Sequence, residues 1–165
     1  MARGRSQTIA MTLPLVIPSI AATRYYSGTP LGLTRWVPIT QKRIDLFAEA
    51  TGDHQWIYCD PERAARESPW KTPIAHGYLM LSLVPTLLPE LLVLIGWKTA
   101  INTRVEDCRF VAPVPAESRV RMAAQLAKAR TLPRGGCRLT FAVEFESEGN
   151  PDPACVATVT YVYYP

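Results

Sequence analysis

The run Glu49-Ala-Thr-Gly-Asp-His-Gln-Trp-Ile-Tyr58, followed by Cys59-Asp-Pro-Glu-Arg-Ala-Ala-Arg-Glu-Ser-Pro69 and Trp70-Lys-Thr-Pro-Ile-Ala-His-Gly-Tyr-Leu-Met-Leu-Ser-Leu83, organises the whole chain. It holds both histidines, His54 and His76, a lone acid after a glycine, and the entrance to the most apolar segment. Just upstream, Thr40 is a good N-cap for a helix. Ile44, Phe47, Ala48 and Ala50 form its apolar stripe, opposite Lys42, Arg43 and Glu49. Gly52 supplies the left-handed exit that ends it. Residues 53–59 then read as a loop or short extended segment. A second short helix begins where three signals agree: Asp60 can cap, Pro61 fits the first helical position, and Glu62 complements the dipole. It runs to about Arg66.

Residues 77–95 are apolar on all sides, so a helix there is either buried or transmembrane. Pro85 and Pro89 each remove a helical hydrogen bond, and Glu90 would sit in hydrocarbon. A buried central helix, bent or ended near Pro85, is the better reading. The C-terminal half alternates as β-strands do. Val120, Met122, Ala124 and Leu126 form one apolar face. Cys137, Leu139, Phe141, Val143 and Phe145 form the clearest period-two run. Strands are also expected over 101–109 and 154–164, with an extended entry over 31–38 anchored by Trp36. Helices first and an antiparallel meander after imply an α+β fold, one long apolar helix wrapped by a curved sheet.

At 165 residues the chain is most simply one domain. Its 48% hydrophobic and 19% charged residues exclude disorder. A formal charge of +4, with lysines and arginines scattered rather than interleaved with aromatics, gives no reason to expect nucleic acid as a partner. The four cysteines form no Cys-x-x-Cys pair, and neither histidine stands at zinc-ligand spacing from one. A reduced, cytoplasmic protein without a metal site is expected. Residues 1–28 have the basic start and apolar middle of a secretory leader, but Pro14 and Pro18 interrupt the run. An irregular N-terminal extension before a domain at 29–165 is preferred.

Three motifs then agree in order: Ala50-Thr-Gly-Asp53, Ile57-x-x-Asp60-Pro-Glu-Arg-Ala64 and Pro73-Ile-Ala-His-Gly-x-Leu-x-Leu-Ser-Leu83. With Asn102 and Arg109-Phe-x-x-Pro-Val114 they resemble the MaoC-like hydratases and dehydratases, (R)-specific enoyl-thioester enzymes with the hot-dog fold. The resemblance implies a homodimer with pockets near the subunit interface and an apolar small-molecule substrate, a polyketide or an acyl thioester; no cofactor is expected. In that family an Asp, and a His five residues later, activate the water that adds across the conjugated C=C. A glycine amide opening the central helix polarises the thioester carbonyl. Asp53 matches the acid, Gly77 the amide and Ser82 the family serine. The histidine position is Tyr58.

Imidazole titrates at about 6.5 and a phenol at about 10, so Tyr58 donates a hydrogen bond at neutral pH but is a poor base. His54 follows Asp53 directly, and the two side chains need not converge. His76 reads as a structural residue at the loop-to-helix junction. Trp70 and Met80 make the expected pocket more aromatic and polarisable, with His54, Trp56 and Ser82 also expected to touch substrate. The alternative for these positions is drift, with Trp70 and Met80 simply filling core space, and Asp53 could equally hold its loop.

The preferred function is therefore a repurposed enzyme. It would cyclise an apolar polyene or polyketide through shape and hydrogen-bond polarisation, with Asp53, Tyr58 and Gly77 as its catalytic groups. The alternatives are a hydratase or dehydratase of CoA or carrier-protein thioesters using Asp53, and a non-catalytic ligand-binding protein.

Overall fold

Alternation along β7 (Cys137–Ser147) sets the sheet. Its residues Cys137, Leu139, Phe141, Val143 and Phe145 are all buried, so one face must lie on a core. The computed structural model, which describes residues 13–165, places β7 between β6 (Ser118–Thr131) and β8 (Pro153–Tyr164) in antiparallel register. The strand order is β2-β6-β7-β8-β5, with β2 at Thr29–Leu33 and β5 at Thr99–Phe110. The short β3 (Val37–Ile39) also pairs with β6. The extended entry expected over 31–38 is thus two strands on one partner.

The sheet's inner face receives α4 (Gly77–Ser82) and α5 (Val84–Leu87), whose Leu79, Met80, Val84 and Leu87 are buried. This is the expected α+β hot-dog arrangement, a helix wrapped by an antiparallel sheet. The helix is shorter than 77–95. It tightens into a 3-10 turn at Leu88–Glu90, and Leu92–Leu94 is a strand, β4. Pro85 and Pro89 each lie at the opening of a new helical segment, where a missing amide costs least. Nor is the helix buried all round. Tyr78 is 70% exposed, and Ser82, Pro85 and Pro89 share its open side. Among the described residues no helix is long and apolar enough to cross a membrane.

β4 pairs in parallel with β1 (Leu15–Ile17), and Ile17 and Ile20 join the core. Residues 1–12, the basic start of the leader-like segment and part of its apolar run, lie outside the described residues.

Capping follows the sequence closely. In α1 (Gln41–Thr51) the Thr40 hydroxyl accepts from the Arg43 amide at 3.2 Å, and Gly52 ends the helix at φ 77°. In α3 (Pro61–Glu67) the Asp60 carboxylate accepts from the Arg63 amide at 2.9 Å. Between them, the loop expected over 53–59 contains a one-turn helix, α2 (Trp56–Cys59). The amides of Tyr58 and Cys59 both donate to the Gln55 carbonyl, and Asp60 closes α2 while opening α3. A single turn is too short to show helical periodicity, so it reads as loop from sequence.

Candidate active site

Two loops and the start of α4 converge at one end of the central helix. The Gln41 side-chain amide donates to the Tyr58 carbonyl at 2.7 Å, anchoring α2 to α1. The Ile74 amide donates to the Ile57 carbonyl, and the Ala75 amide to the Val114 carbonyl at 2.8 Å. The segment before α4 is thereby held between α2 and the turn after β5. Tyr58, Trp70, Gly77, Met80 and Phe110 line a cavity of about 310 Å³ in this cleft.

Gly77 is required there by close approach. A methyl on its α-carbon would stand 2.6–2.8 Å from three ring carbons of Phe110. As the first residue of α4 its amide has no carbonyl one turn back to bond, so it is available to a ligand. Tyr58 brings a phenol to the same cavity. Burial, and secondarily the Asp53 charge, push that phenol above its ordinary pKa, so it is a proton donor at neutral pH.

Behind Tyr58 lies His76. The two rings lie with centroids 3.9 Å apart and a tilt of 32°, and Phe47 packs against His76 with centroids 5.1 Å apart. His76 Nε2 is 2.9 Å from the Asp53 carbonyl, which can only accept, so Nε2 carries the proton. The same nitrogen is 4.0 Å from the Asp53 carboxylate. Among the described residues His76 Nδ1, which is buried, finds no hydrogen-bond partner. The histidine thus holds the Asp53 loop against Tyr58, a role close to the junction residue read from sequence. The Asp53 side chain is 43% exposed and accepts from the Gln55 side-chain amide at 3.1 Å.

The structure therefore brings Tyr58, Trp70, Gly77 and Met80 together, with Asp53 at the edge of the cluster. It sets the other candidates apart. His54 points to Glu49 at the surface, 3.7 Å away, and Trp56 carries the Arg63 guanidinium on its ring face at 4.6 Å. Ser82 donates to the Leu79 carbonyl at 2.7 Å and lines a neighbouring cavity. Phe110 was readable only as part of a motif. Its approach to Gly77 depends on the far end of β5 and has no local signal. No group of three or more His, Cys, Asp or Glu side chains among the described residues is placed to hold a metal ion.

Residues 24–136 match the MaoC like domain. The chain belongs to the MaoC-like family. It is 45% identical over 139 residues to a 3-hydroxyacyl-thioester dehydratase Z of Mycobacterium tuberculosis, covering 84% of this chain and 91% of that protein. It is 41% identical over 133 residues to nodulation protein N of Rhizobium leguminosarum bv. viciae, covering 79% and 81%. Among solved structures, an (R)-hydratase of Pseudomonas aeruginosa superposes with a TM-score of 0.69 at 20% identity, over 88% of this chain and 85% of that one. That last likeness speaks to the fold alone.

Proposed function

We propose that this MaoC-like protein is a hydratase or dehydratase of 3-hydroxyacyl thioesters, with Asp53 and Tyr58 sharing the acid–base work that an Asp and a His do in its family. The observation that carries this is the meeting of the Tyr58 phenol with the free Gly77 amide in one cavity, with the Asp53 charge felt at Tyr58. The 45% identical relative named a 3-hydroxyacyl-thioester dehydratase supports the substrate class.

In the dehydration direction, Gly77 N–H stabilises negative charge growing on the thioester oxygen. Asp53 takes the proton from the α-carbon, and Tyr58 gives its proton to the hydroxyl leaving the β-carbon. Water departs, and the proton on Asp53 returns to the Tyr58 oxygen. Hydration runs the same steps backwards. A phenol is a weaker base than an imidazole at neutral pH, so hydration is slow relative to an enzyme with histidine at this position.

Loss of crotonyl-CoA absorbance on hydration tests the reading. The natural protein turns it over, Asp53→Asn lowers kcat about a hundredfold or more, and Tyr58→His raises it. No turnover by the natural protein and none by Tyr58→His would refute it. The cyclisation expected from sequence remains as a second reading. It is favoured by the aromatic and thioether lining that Tyr58, Trp70 and Met80 give the cavity. An unchanged product ratio when a linear polyene macrolactone is incubated with the protein would remove it.

A homodimer is part of the proposal. β5 is an edge strand of 12 residues with Ile101, Val105 and Phe110 each at least 44% exposed, the type of edge that proteins cover rather than leave open.

A further inference from the structure

The ladder between β5 and β8 is irregular near the end of β5. Glu106 pairs with Thr158 and Arg109 with Val156, so Asp107 and Cys108 together stand opposite Ala157 alone. Asp107 has the left-handed conformation, φ 49°, that one residue of such a bulge adopts. Asp107 and Arg109 both line a groove on the outer face of the sheet with Val156 and Thr158. Cys108, between them, faces inward and packs half-buried against the core.

Cys155 is fully buried on β8, opposite Phe110 of β5 and Phe145 of β7. Cys108 and Phe110, two residues apart, share a face, so Cys108 and Cys155 are diagonal neighbours across the ladder. Their thiols are in contact, and all four cysteines of the chain are free. The other two have different company: Cys59 stands near Asp45 and Asp53, and Cys137 is hydrogen-bonded to Thr23. Burial, and secondarily Cys108, push the Cys155 thiol up, so Cys155 is held as a thiol and the less buried Cys108 meets solutes first.

The pair sits in the wall of the site. Phe110, the partner of Cys155, lies so close to Gly77 that an added methyl would stand 2.6 Å from its ring. The Val111 amide donates to the Ala154 carbonyl at 3.0 Å, and Phe110, Val111 and Ala154 all line the site's cavity. Diagonal neighbours in a regular ladder stand about 7–8 Å apart, whereas a disulfide needs β-carbons about 3.5–4.5 Å apart. Joining the two sulfurs therefore pulls the strands together where the bulge leaves the ladder weakest.

We propose that Cys108 and Cys155 close to a reversible disulfide when a hydroperoxide reaches Cys108, and that closure draws the end of β5 onto β8 and shifts Phe110 over Gly77, lowering turnover at the site. The Cys108 thiolate attacks the outer peroxide oxygen. The O–O bond breaks, the alcohol or water leaves with the thiol proton, and Cys108 becomes a sulfenic acid. Cys155 sulfur then displaces the hydroxyl, which departs as water with the Cys155 proton, and the S–S bond forms. Two thiols give up two electrons to one peroxide. A dithiol reverses the reaction by exchange and is itself oxidised to its cyclic disulfide.

The experiment treats the reduced natural protein, Cys108→Ser and Cys155→Ser with hydrogen peroxide, then counts thiols in denaturant and maps unreduced tryptic peptides. Cleavage after Lys and Arg puts each cysteine on its own peptide, so a link between residues 105–109 and 139–165 identifies the pair. The natural protein is expected to lose two of its four thiols to that link and to regain them with dithiothreitol. In Cys155→Ser the oxidation of Cys108 is expected to yield no such link. Retention of all four thiols, a link through Cys59 or Cys137, or a species of twice the chain mass through Cys108 overturns the proposal. Crotonyl-CoA hydration is then compared before and after oxidation. A fall of at least about tenfold is expected, since misplacement by about 1 Å can cost a hundredfold. Dithiothreitol restores the rate, and Cys108→Ser shows no fall. An unchanged rate in the linked protein overturns the coupling to the site. If neither form turns over crotonyl-CoA, the hydratase reading fails on its own, and the coupling is read from hydrogen exchange at residues 77–80. Exchange altered by the link upholds it and unaltered exchange overturns it. The peptide map of the natural protein stands whether or not the variants fold.

Discussion

Replacing Gly77 with alanine puts the close approach at the site to a quantitative test. The added methyl would sit 2.6 Å from Cγ of Phe110 and 2.8 Å from both Cδ atoms, where ordinary contact is about 3.5–4.0 Å. Cγ is the root of the ring, so turning the ring about its own axis gives no relief. The side chain must rotate about its Cα–Cβ bond, or the end of β5 must shift by roughly an ångström. Phe110 is 44% exposed, so it can swing toward solvent, giving up its edge contact with Tyr78 at 5.5 Å. The cost therefore belongs at the lower end of overpacking, about 1–2 kcal/mol. For a chain of this size that lowers Tm by about 2–8 °C. The assay is urea unfolding of the natural protein, Gly77→Ala, Phe110→Ala and the double variant. In the Phe110→Ala background the penalty of Gly77→Ala is expected to fall below about 0.5 kcal/mol, giving a coupling of at least about 0.5 kcal/mol. An undiminished penalty in that background would show that the glycine is needed for backbone conformation and not for the approach of Phe110.

Alkaline pH is expected to destabilise the fold. Burial, reinforced by Cys108, pushes the Cys155 thiol up to about 12, and burial also raises Tyr161 and Tyr163. The unfolded thiol and phenols lose protons near 9.0 and 10.0 while the folded ones retain theirs. Stability from these groups is therefore complete below about pH 9 and falls above it, read as a lower urea midpoint at pH 10.5 than at pH 8; equal midpoints would contradict it. A charge on the open β5 edge tests the dimer. Light scattering is expected to give twice the chain mass for the natural protein and one chain mass for Ile101→Lys, and a monomeric natural protein would end that proposal.

Features built from adjacent residues were legible in the sequence. Thr40, Gly52 and the Asp60-Pro61 pair bound their helices where local hydrogen bonding requires, and the alternation of β7 declared its buried face without reference to any partner. Leu92–Leu94 was not, because a short apolar run is equally good as helix or strand until its partner is known, and that partner is Leu15–Ile17. The site divides along the same line. Gly77 and Met80 share a face through their spacing, and Tyr58 and Trp70 lie in the short segments on either side of α3. His54 and Trp56 lie beside Asp53 in sequence but take outward partners, Glu49 and Arg63, that nothing in the motif specifies. Phe110 reaches Gly77 only once β5 has found β8.

The parallel pair of β1 and β4 also bears on how the protein is made. Leu15 leaves the ribosome roughly eighty residues ahead of Leu92, its partner in the sheet. At about 5–20 residues per second, that strand waits about 4–15 s with its pairing edge and Ile17 uncovered. β1 is thus placed only after the whole central helix has emerged, and the end of that helix is sealed only when β4 reaches it. During that interval an apolar strand stands without its partner, and slowing translation between Ile17 and Leu94 would lengthen its exposure.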